Sequence, residues 1–228
     1  VAVSAEDAAK HIKGTWLRVR ALSVVVGALA CAGETSRARQ VAVSAADAAK
    51  KVEEPWLRER ALEEVVGALA HVGETGETLM VISLINKLSC RSRAQSVLMK
   101  ELASKGSSGE AVNVLQIALA EVGGFVHRQD SANYCAVLET ACLDVVDLVD
   151  VSSPTRERWL GLTRSVLARS WFNGASVWDN FDVVVRVAPE LAVQLVDEWL
   201  LTDSGSGTAS SDPDRGPEGP GGDAGSYR

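Results

Sequence analysis

Aromatic residues are scarce in this sequence, and long apolar runs are absent from it. Phe, Trp and Tyr make up 5% of the 228 residues, although apolar residues as a whole make up 46%. Most of that apolar mass is Ala, Val and Leu, and small apolar side chains suit closely packed helices. No run reaches the ~18 apolar residues that a membrane-spanning helix needs. We therefore expect no membrane partner.

An overall excess of basic residues is lacking as well. The formal net charge is −7 and the sequence pI is about 5.1. A nonspecific nucleic-acid binder needs clustered Lys and Arg to displace counterions from phosphates. We therefore expect no nucleic-acid partner.

The cysteines lack the spacing of a metal site. They share no C-x-x-C motif and have no histidine at the distance along the chain that zinc ligands show. We expect reduced, buried thiols in a cytoplasmic protein. The four residues are Cys31, Cys90, Cys135 and Cys142.

Common catalytic motifs are missing too. The sequence contains no G-x-S-x-G, H-E-x-x-H, P-loop or G-x-G-x-x-G, and its three histidines are scattered. Three aspartates at i, i+3 and i+6 are more typical of a solvated acidic face than of a cation site, namely Asp144, Asp147 and Asp150. We therefore expect no enzymatic activity, no cofactor and no bound metal.

What the sequence does contain is an internal repeat. Residues 1–40 and 41–80 are identical at 24 of 40 positions when aligned without gaps. A period of this length is typical of stacked repeats, in which each unit buries its apolar face against its neighbours.

Each unit has the pattern of two helices joined by a glycine. Apolar residues at helical spacing predict a helix over Trp16–Cys31, and Gly33 suits a left-handed helix end. Thr35 is then expected to cap the next helix through its hydroxyl. The second unit repeats this pattern over Pro55–His71, and a third, 33 residues further on, runs from Arg91 to Gly106.

This arrangement resembles the tetratricopeptide repeat family, whose unit has a glycine between its helices and small residues five and twelve positions later. Two units follow the pattern, at Gly33 with Ala38 and Ala45 and at Gly106 with Ala111 and Ala118. The resemblance covers residues 1–123. It implies a right-handed superhelical stack of antiparallel helix pairs, an α-solenoid that serves as a peptide- or protein-binding scaffold.

The middle unit departs from the family pattern. Gly73 is followed by Thr78 and Ile85 rather than by small residues, and Leu29 and Leu69 replace an aromatic residue of the first helix. The family's closing proline is also missing from the second helices.

The remainder of the chain divides into two regions. Residues 124–201 have helical spacing over 130–150, 154–171 and 176–201, and we interpret them as an irregular capping region. Whether the helix at 154–171 is the first or the second of a pair stays open. Residues 202–228 hold 7 Gly, 5 Ser and 3 Pro without any Val, Ile, Leu, Phe or Trp, which predicts a disordered tail. Because the chain opens within a repeat, we expect it to belong to a longer protein.

One recurrent motif is a candidate binding site. Two arginines separated by one residue occur near the start of the first helix in each unit, beside a tryptophan in two cases. Arginine opposes the helix dipole there, so helix energetics do not explain it. The candidate partner-binding residues are Trp16, Arg18, Arg20, Trp56, Arg58, Arg60, Arg91 and Arg93.

Two interpretations of these arginines are open. They could join neighbouring units by pairing with carboxylates such as Glu34 and Glu74, or they could form a ladder that binds an acidic peptide or a carboxylate terminus.

The function we predict is a non-enzymatic protein-interaction scaffold. The first alternative is a sensor or regulatory arm of a multidomain signalling NTPase, and the second is an all-helical enzyme. A protein or peptide is the expected partner, an acidic one under the binding-site interpretation, whereas the oligomeric state is left open.

Overall fold

The computed structural model describes residues 2–125, 127–150 and 152–206, and the side chains of residues 5–125, 127–150 and 152–201. These ranges form α-helices and one 3-10 helix (Trp178–Asn180), with no β-strand among them. The prediction of an all-α fold is therefore confirmed for this part of the chain. The α-helices are α1 (Ala2–Lys10), α2 (Thr15–Cys31), α3 (Thr35–Lys50), α4 (Pro55–Val72), α5 (Thr75–Ser83), α6 (Leu88–Ser104), α7 (Ser108–Val122), α8 (Arg128–Leu148), α9 (Pro154–Phe172), α10 (Phe181–Val187) and α11 (Pro189–Ser206).

The helices from α2 to α8 pack in two layers. In one layer α2 lies against α4, α4 against α6 and α6 against α8. In the other, α3 contacts α2 and α4, α5 contacts α4 and α6, and α7 contacts α6 and α8. The apolar core lies between the layers, so the outer surface of the first layer presents a series of similar grooves.

A glycine in the left-handed region ends the first helix of each repeat unit. The φ angles of Gly33, Gly73 and Gly106 are 79°, 87° and 78°, a conformation that costs a residue with a Cβ energy. In each turn the amide after the glycine donates to a leucine carbonyl five residues earlier, with N···O distances of 2.9, 3.1 and 2.8 Å. These are the bonds of a Schellman turn, and they fix where the second helix of each pair begins.

Small residues let the two layers approach closely. Ala38, Ala42 and Ala45 of α3 are fully buried. In the middle unit Thr78 and Ile85 are equally buried, and the Thr78 hydroxyl donates to the Glu74 carbonyl at 2.5 Å. The middle unit thus buries larger residues than the family pattern has at these positions. Its second helix, α5, is also shorter than α3, with 9 residues instead of 16.

The predicted cap at Thr35 is wrong. Thr35 is the first residue of α3, and Glu34 before it makes no side-chain capping hydrogen bond. The Schellman turn ends at Glu34, so Glu34 occupies the N-cap position and Thr35 is already inside the helix.

The single helix expected over 176–201 is broken in the structure. The 3-10 helix, α10 and α11 replace it, and Ala188 between α10 and α11 has φ −152° and ψ 64°. A residue before proline is driven out of the α region by the proline ring, and Pro189 follows. α9 packs against α8, the helix that precedes it.

The predicted tail falls mainly outside the described residues. α11 extends to Ser206, past the expected start of the tail at residue 202. Residues 207–228 lie outside the described part.

All four cysteines are free thiols, but one of them contradicts the expectation of burial. Cys90, Cys135 and Cys142 are buried, whereas Cys31, in the last turn of α2, is exposed. Burial raises the pKa of Cys135 to about 11 and that of Cys142 to about 12. Both of these thiols are therefore protonated at neutral pH.

Candidate functional site

The two arginines of each pair point in different directions. Residues at i and i+2 lie roughly 200° apart around a helix, so their side chains cannot converge on one ligand atom. The residue between them faces the interior in all three units, as Val19, Glu59 and Ser92. The predicted ladder therefore separates into two sets of arginines.

The first arginine of each pair folds back onto the loop before its own helix. A guanidinium N–H donates to a backbone carbonyl in each unit, from Arg18 to Ile12 at 2.9 and 3.0 Å, from Arg58 to Glu53 at 3.1 Å and from Arg91 to Ile85 at 2.8 Å. These carbonyls follow the preceding helix and have no helical partner, so the arginines fasten each loop to the next helix. This contact explains arginine near a helix N-terminus, where the dipole disfavours it.

Arg91 also belongs to a partly buried polar network. Its Nη1 lies 3.6 Å from Oε2 of Glu121, and the same carboxylate oxygen is 2.9 Å from the Tyr134 hydroxyl. That hydroxyl also contacts Oε1 of Gln95, and burial first and Glu121 second raise the Tyr134 pKa above its usual value. The network joins α6, α7 and α8, so Arg91 holds neighbouring helices together.

Glu59 has a related role that the sequence pattern did not indicate. Its two carboxylate oxygens accept hydrogen bonds from the Asn86 amide at 3.2 and 3.0 Å, and the Lys87 amide lies 3.4 Å away. These amides precede α6, where the helix dipole favours negative charge. Glu59 of α4 therefore caps the next helix of the same layer.

The second arginines lie on the outer surface of the first layer. Arg60 and Arg93 meet in a groove of about 590 Å³ between α4 and α6, which we call the α4–α6 groove. Its lining is Trp56, Arg60, Glu63, Glu64, Gly67, Lys87, Cys90 and Arg93. Three of the eight sequence-predicted residues, Trp56, Arg60 and Arg93, are thus brought together.

The charges of the α4–α6 groove are only partly neutralised within it. Arg93 forms a bidentate pair with Glu63, at 2.7 Å from Nε and 3.0 Å from Nη2, and this hydrogen bonding raises the Arg93 pKa. Among the described side chains, Arg60, Lys87 and Glu64 make no ion pair or hydrogen bond. The groove therefore has a net charge of about +1 that no internal contact compensates.

Trp16 and Trp56 occupy corresponding places but differ in exposure. Trp16 is half-buried and borders a cleft with Glu54 and Leu57, whereas Trp56 is 63% exposed and faces Lys87 and Cys90. Cys90 aligns with Leu57 in the repeat. The smaller Cys90 side chain lies in the lining of the groove beside Trp56.

The sequence-predicted residues of the first unit are not part of this groove. Arg20 is exposed and makes no ion pair or hydrogen bond with the described side chains. Trp16 borders the cleft between the starts of α2 and α4, one repeat away. Arg18, Arg58 and Arg91 are turned toward the loops.

Gly67 is a groove residue that a sequence signal could have revealed. Glycine in the middle of a helix costs roughly 1 kcal/mol relative to alanine, yet it recurs at Gly27 and Gly67. A Cβ added to Gly67 would meet no atom within 4 Å. Packing therefore does not require this glycine, and its effect is to lower the floor of the groove.

The specific carboxylates expected to pair with the arginine motif have other partners. Glu34 pairs with Arg37, with Nη1 and Oε2 3.8 Å apart, and Glu74 pairs with Arg39. That detail of the prediction is wrong, because both partners lie on α3 rather than in the motif.

The three aspartates of α8 and its C-terminal end bind separate partners. Asp144 pairs with Lys100 at 3.2 Å and Asp147 with Arg186 at 2.5 Å, while Asp150 accepts hydrogen bonds from the Ser152 amide and hydroxyl. Across the described ranges, no three His, Cys, Asp or Glu side chains are grouped as a metal site requires.

Glu139 of α8 is a buried carboxyl group that the sequence analysis missed. Its side chain is 1% exposed and its Oε1 has no hydrogen-bond partner. Burial raises the pKa of Glu139 to about 7, Asp182 adds to the rise and Ser170 opposes it. The group is therefore partly protonated at neutral pH, and its charged form destabilises the fold.

Comparison of the chain with protein-family models, curated proteins and solved structures gave no match. In the parts of the chain that the structure describes, no helix combines the length and apolarity of a bilayer span. A proposal for the function therefore has to start from the geometry of the chain itself, and we base it on the α4–α6 groove.

The two sets of arginines should respond differently to the same substitution. Arg91→Met keeps the apolar stem but removes the bonds to Ile85 and Glu121, and we expect it to lower the free energy of unfolding by roughly 1–3 kcal/mol. Arg60→Met removes an exposed, unpaired cation and should change it by less than about 0.5 kcal/mol. Urea denaturation of both variants checks this, and equal effects would contradict the assignment.

The buried Glu139 predicts a pH dependence of stability. Because its pKa is about 7 in the folded state and near 4.5 in the unfolded chain, the unfolded state releases its proton first. The free energy of unfolding should fall as pH rises from about 4.5 to 7 and then level off. Glu139→Gln should remove this fall and stabilise the protein at pH 8 by up to roughly 3 kcal/mol.

The matched control is Glu157→Gln, at an exposed carboxylate of α9. Denaturation between pH 4 and pH 9 should show the wild-type slope in this control, on the order of 1 kcal/mol per pH unit. An unchanged slope in Glu139→Gln would refute the role given to the buried carboxyl.

Proposed function

We propose that this chain is a non-enzymatic interaction scaffold of tetratricopeptide type that binds a peptide segment of a partner protein in the α4–α6 groove. The single observation that carries the proposal is the meeting of Trp56, Arg60 and Lys87 at one opening. The layered helix contacts and the three Schellman turns support a tetratricopeptide-like stack as its framework, and its right-handed sense is what the resemblance implies.

An exposed tryptophan beside unpaired cations has the composition of an interaction hot spot. Trp and Arg are enriched among the residues that dominate binding energies. Trp56 offers an apolar ring face, and Arg60 offers a planar fork that can bind a carboxylate through two hydrogen bonds. Lys87 adds a second positive charge from the start of α6.

The charge balance of the groove limits the acidity of its ligand. Two unpaired cations are present, but Glu64 is an unpaired anion, and Glu63 already occupies Arg93. A polyacidic segment would be repelled by the two glutamates. The better fit is one carboxylate, from a chain terminus or a single acidic side chain, next to an apolar side chain that packs on Trp56.

A peptide display experiment tests this proposal. A library of peptides with free C-terminal carboxylates and internal acidic residues is screened against the full chain, and hits are remade with an amidated terminus or an amide side chain. We expect Trp56→Ala and Arg60→Gln each to weaken binding by about tenfold or more. Removal of the ligand carboxylate should have a similar effect.

Arg20→Gln is the matched control, since Arg20 occupies the equivalent repeat position outside the groove. It should leave the dissociation constant unchanged. Gly67→Ala should stabilise α4 by roughly 0.5–1 kcal/mol and yet weaken binding by raising the groove floor, which separates loss of binding from loss of folding. Hits that bind Arg60→Gln and the wild type equally would contradict the proposal.

A further inference from the structure

α2 has one side that no first-layer helix covers within the described residues. In that layer α4 packs on α2, α6 on α4 and α8 on α6, so each later helix lies against a predecessor. α2 itself packs on α1, α3 and α4. The side of α2 that points away from α4 is therefore open, and the repeat shows what the same side does in the other units.

α6 shows which side chains face a predecessor. Cys90 lines the groove with α4, and Arg93 donates from Nε to Oε1 of Glu63 on α4 at 2.7 Å. Glu101 lies further along α6, and its Oε1 is 3.2 Å from Nδ1 of His71 on α4. The three α6 positions are i, i+3 and i+11, which lie on one side of a helix.

The corresponding side of α2 is largely uncovered. The repeat aligns those three positions of α6 with Leu17, Arg20 and Ala28 of α2. Leu17 borders the cleft at the start of α2 and is 56% exposed, whereas its equivalent Leu57 in α4 is half-buried. Ala28 is exposed, whereas its equivalent Ala68 is 8% exposed. Identical residues are thus buried in the helix that has a predecessor and exposed in α2.

This side of α2 does not have the character of a stack end. The end unit of a repeat stack needs a polar outer face, because nothing else covers it. α2 instead presents Leu17, Ala21 and Ala28 there, the same apolar residues with which α4 meets its neighbour. The side chains of α2 are therefore those of an internal unit, which indicates an interface.

Arg20 identifies the chemistry of the occupant. Its equivalent Arg93 is paired with Glu63 of the preceding helix, whereas Arg20 has no ion pair or hydrogen bond with the described side chains. A second copy docked through its own α2 would leave Arg20 unpaired, because α2 contains no Asp or Glu. We propose that this side of α2 docks a further helix pair of the same repeat, whose first helix pairs a carboxylate with Arg20.

This docking surface is independent of the α4–α6 groove. The groove is lined by residues of α4 and α6 and by Lys87 before α6, and none of them lies on α2. Failure of one proposal therefore leaves the other standing.

A chain with one added unit tests the proposal. A second copy of residues 1–40 is placed before Val1, so that it runs into α1 as residue 40 runs into residue 41. The added equivalent of α2 should then lie against the open side of α2. Hydrogen exchange measured by mass spectrometry should show the α2 amides protected at least about tenfold more strongly than in the 228-residue chain.

Leu17→Ser locates the contact. In the 228-residue chain this substitution should shift the thermal midpoint by less than about 1 °C, and in the extended chain it should lower the midpoint by about 3 °C or more. Leu148→Ser is the matched control, because Leu148 at the end of α8 is also 56% exposed. The control should have the same small effect in both chains.

A second substitution tests the polar contact. Ser23 occupies the position in α2 that Glu63 occupies in α4, so Ser23→Glu in the added copy supplies a carboxylate for Arg20. We expect this change to raise the thermal midpoint of the extended chain by about 1 °C or more. Arg20→Gln in the original α2 should abolish the gain.

Four outcomes would overturn this proposal. The first is an extended chain whose α2 amides exchange as fast as before, and the second is an equal effect of Leu17→Ser in both chains. The third is a gain from Ser23→Glu that survives Arg20→Gln. The fourth is a dimer of the 228-residue chain in sedimentation measurements that Leu17→Ser dissociates, because a second copy would then occupy this side of α2.

Discussion

The left-handed glycine that ends the first helix of each unit is the constraint on which the rest of the structure depends. At Gly33, Gly73 and Gly106 the same pair of backbone bonds closes the turn, so each second helix starts in the same relation to its first. The core alanines of α3 and α7 can then face the first layer at close range. The turn recurs in the three units whose first helices, α2, α4 and α6, pack in succession, and α6 packs in turn on α8.

Within that framework, the two arginines of each pair have different roles, because helix geometry points them in different directions. The first arginine of each pair binds a loop carbonyl, the middle residue packs inward, and the second arginine reaches the outer surface. The first arginines thus join structural elements through loop carbonyls rather than through Glu34 and Glu74, and the binding interpretation stays a prediction for the second arginines. Arg91 binds groups of its own chain and stabilises the fold. Arg60, one turn from Trp56, has no such partner among the described side chains, and we propose it as a ligand contact.

The repeat pattern predicted the helices and their glycine ends, because these depend on local backbone preferences that every unit shows. It did not predict the α4–α6 groove, since the groove depends on how α4 and α6 pack, which brings Lys87 and Cys90 of one segment beside Trp56 and Arg60 of another. Glu139 was missed for a similar reason. In sequence it resembles any surface glutamate of a helix, and the later helices α9 and α10, which pack on α8, bring Ser170 and Asp182 near it.

The most direct test of this account compares Gly33→Ala with Gly27→Ala in α2. Gly33 has φ 79°, and Gly27 lies within the helix with open space where a Cβ would go. The account predicts opposite signs in urea denaturation. Gly33→Ala should lower the free energy of unfolding by about 1 kcal/mol or more, and Gly27→Ala should raise it by roughly 0.5–1 kcal/mol. If both substitutions stabilised the protein, the turn would not be the constraint that orders the helix pairs.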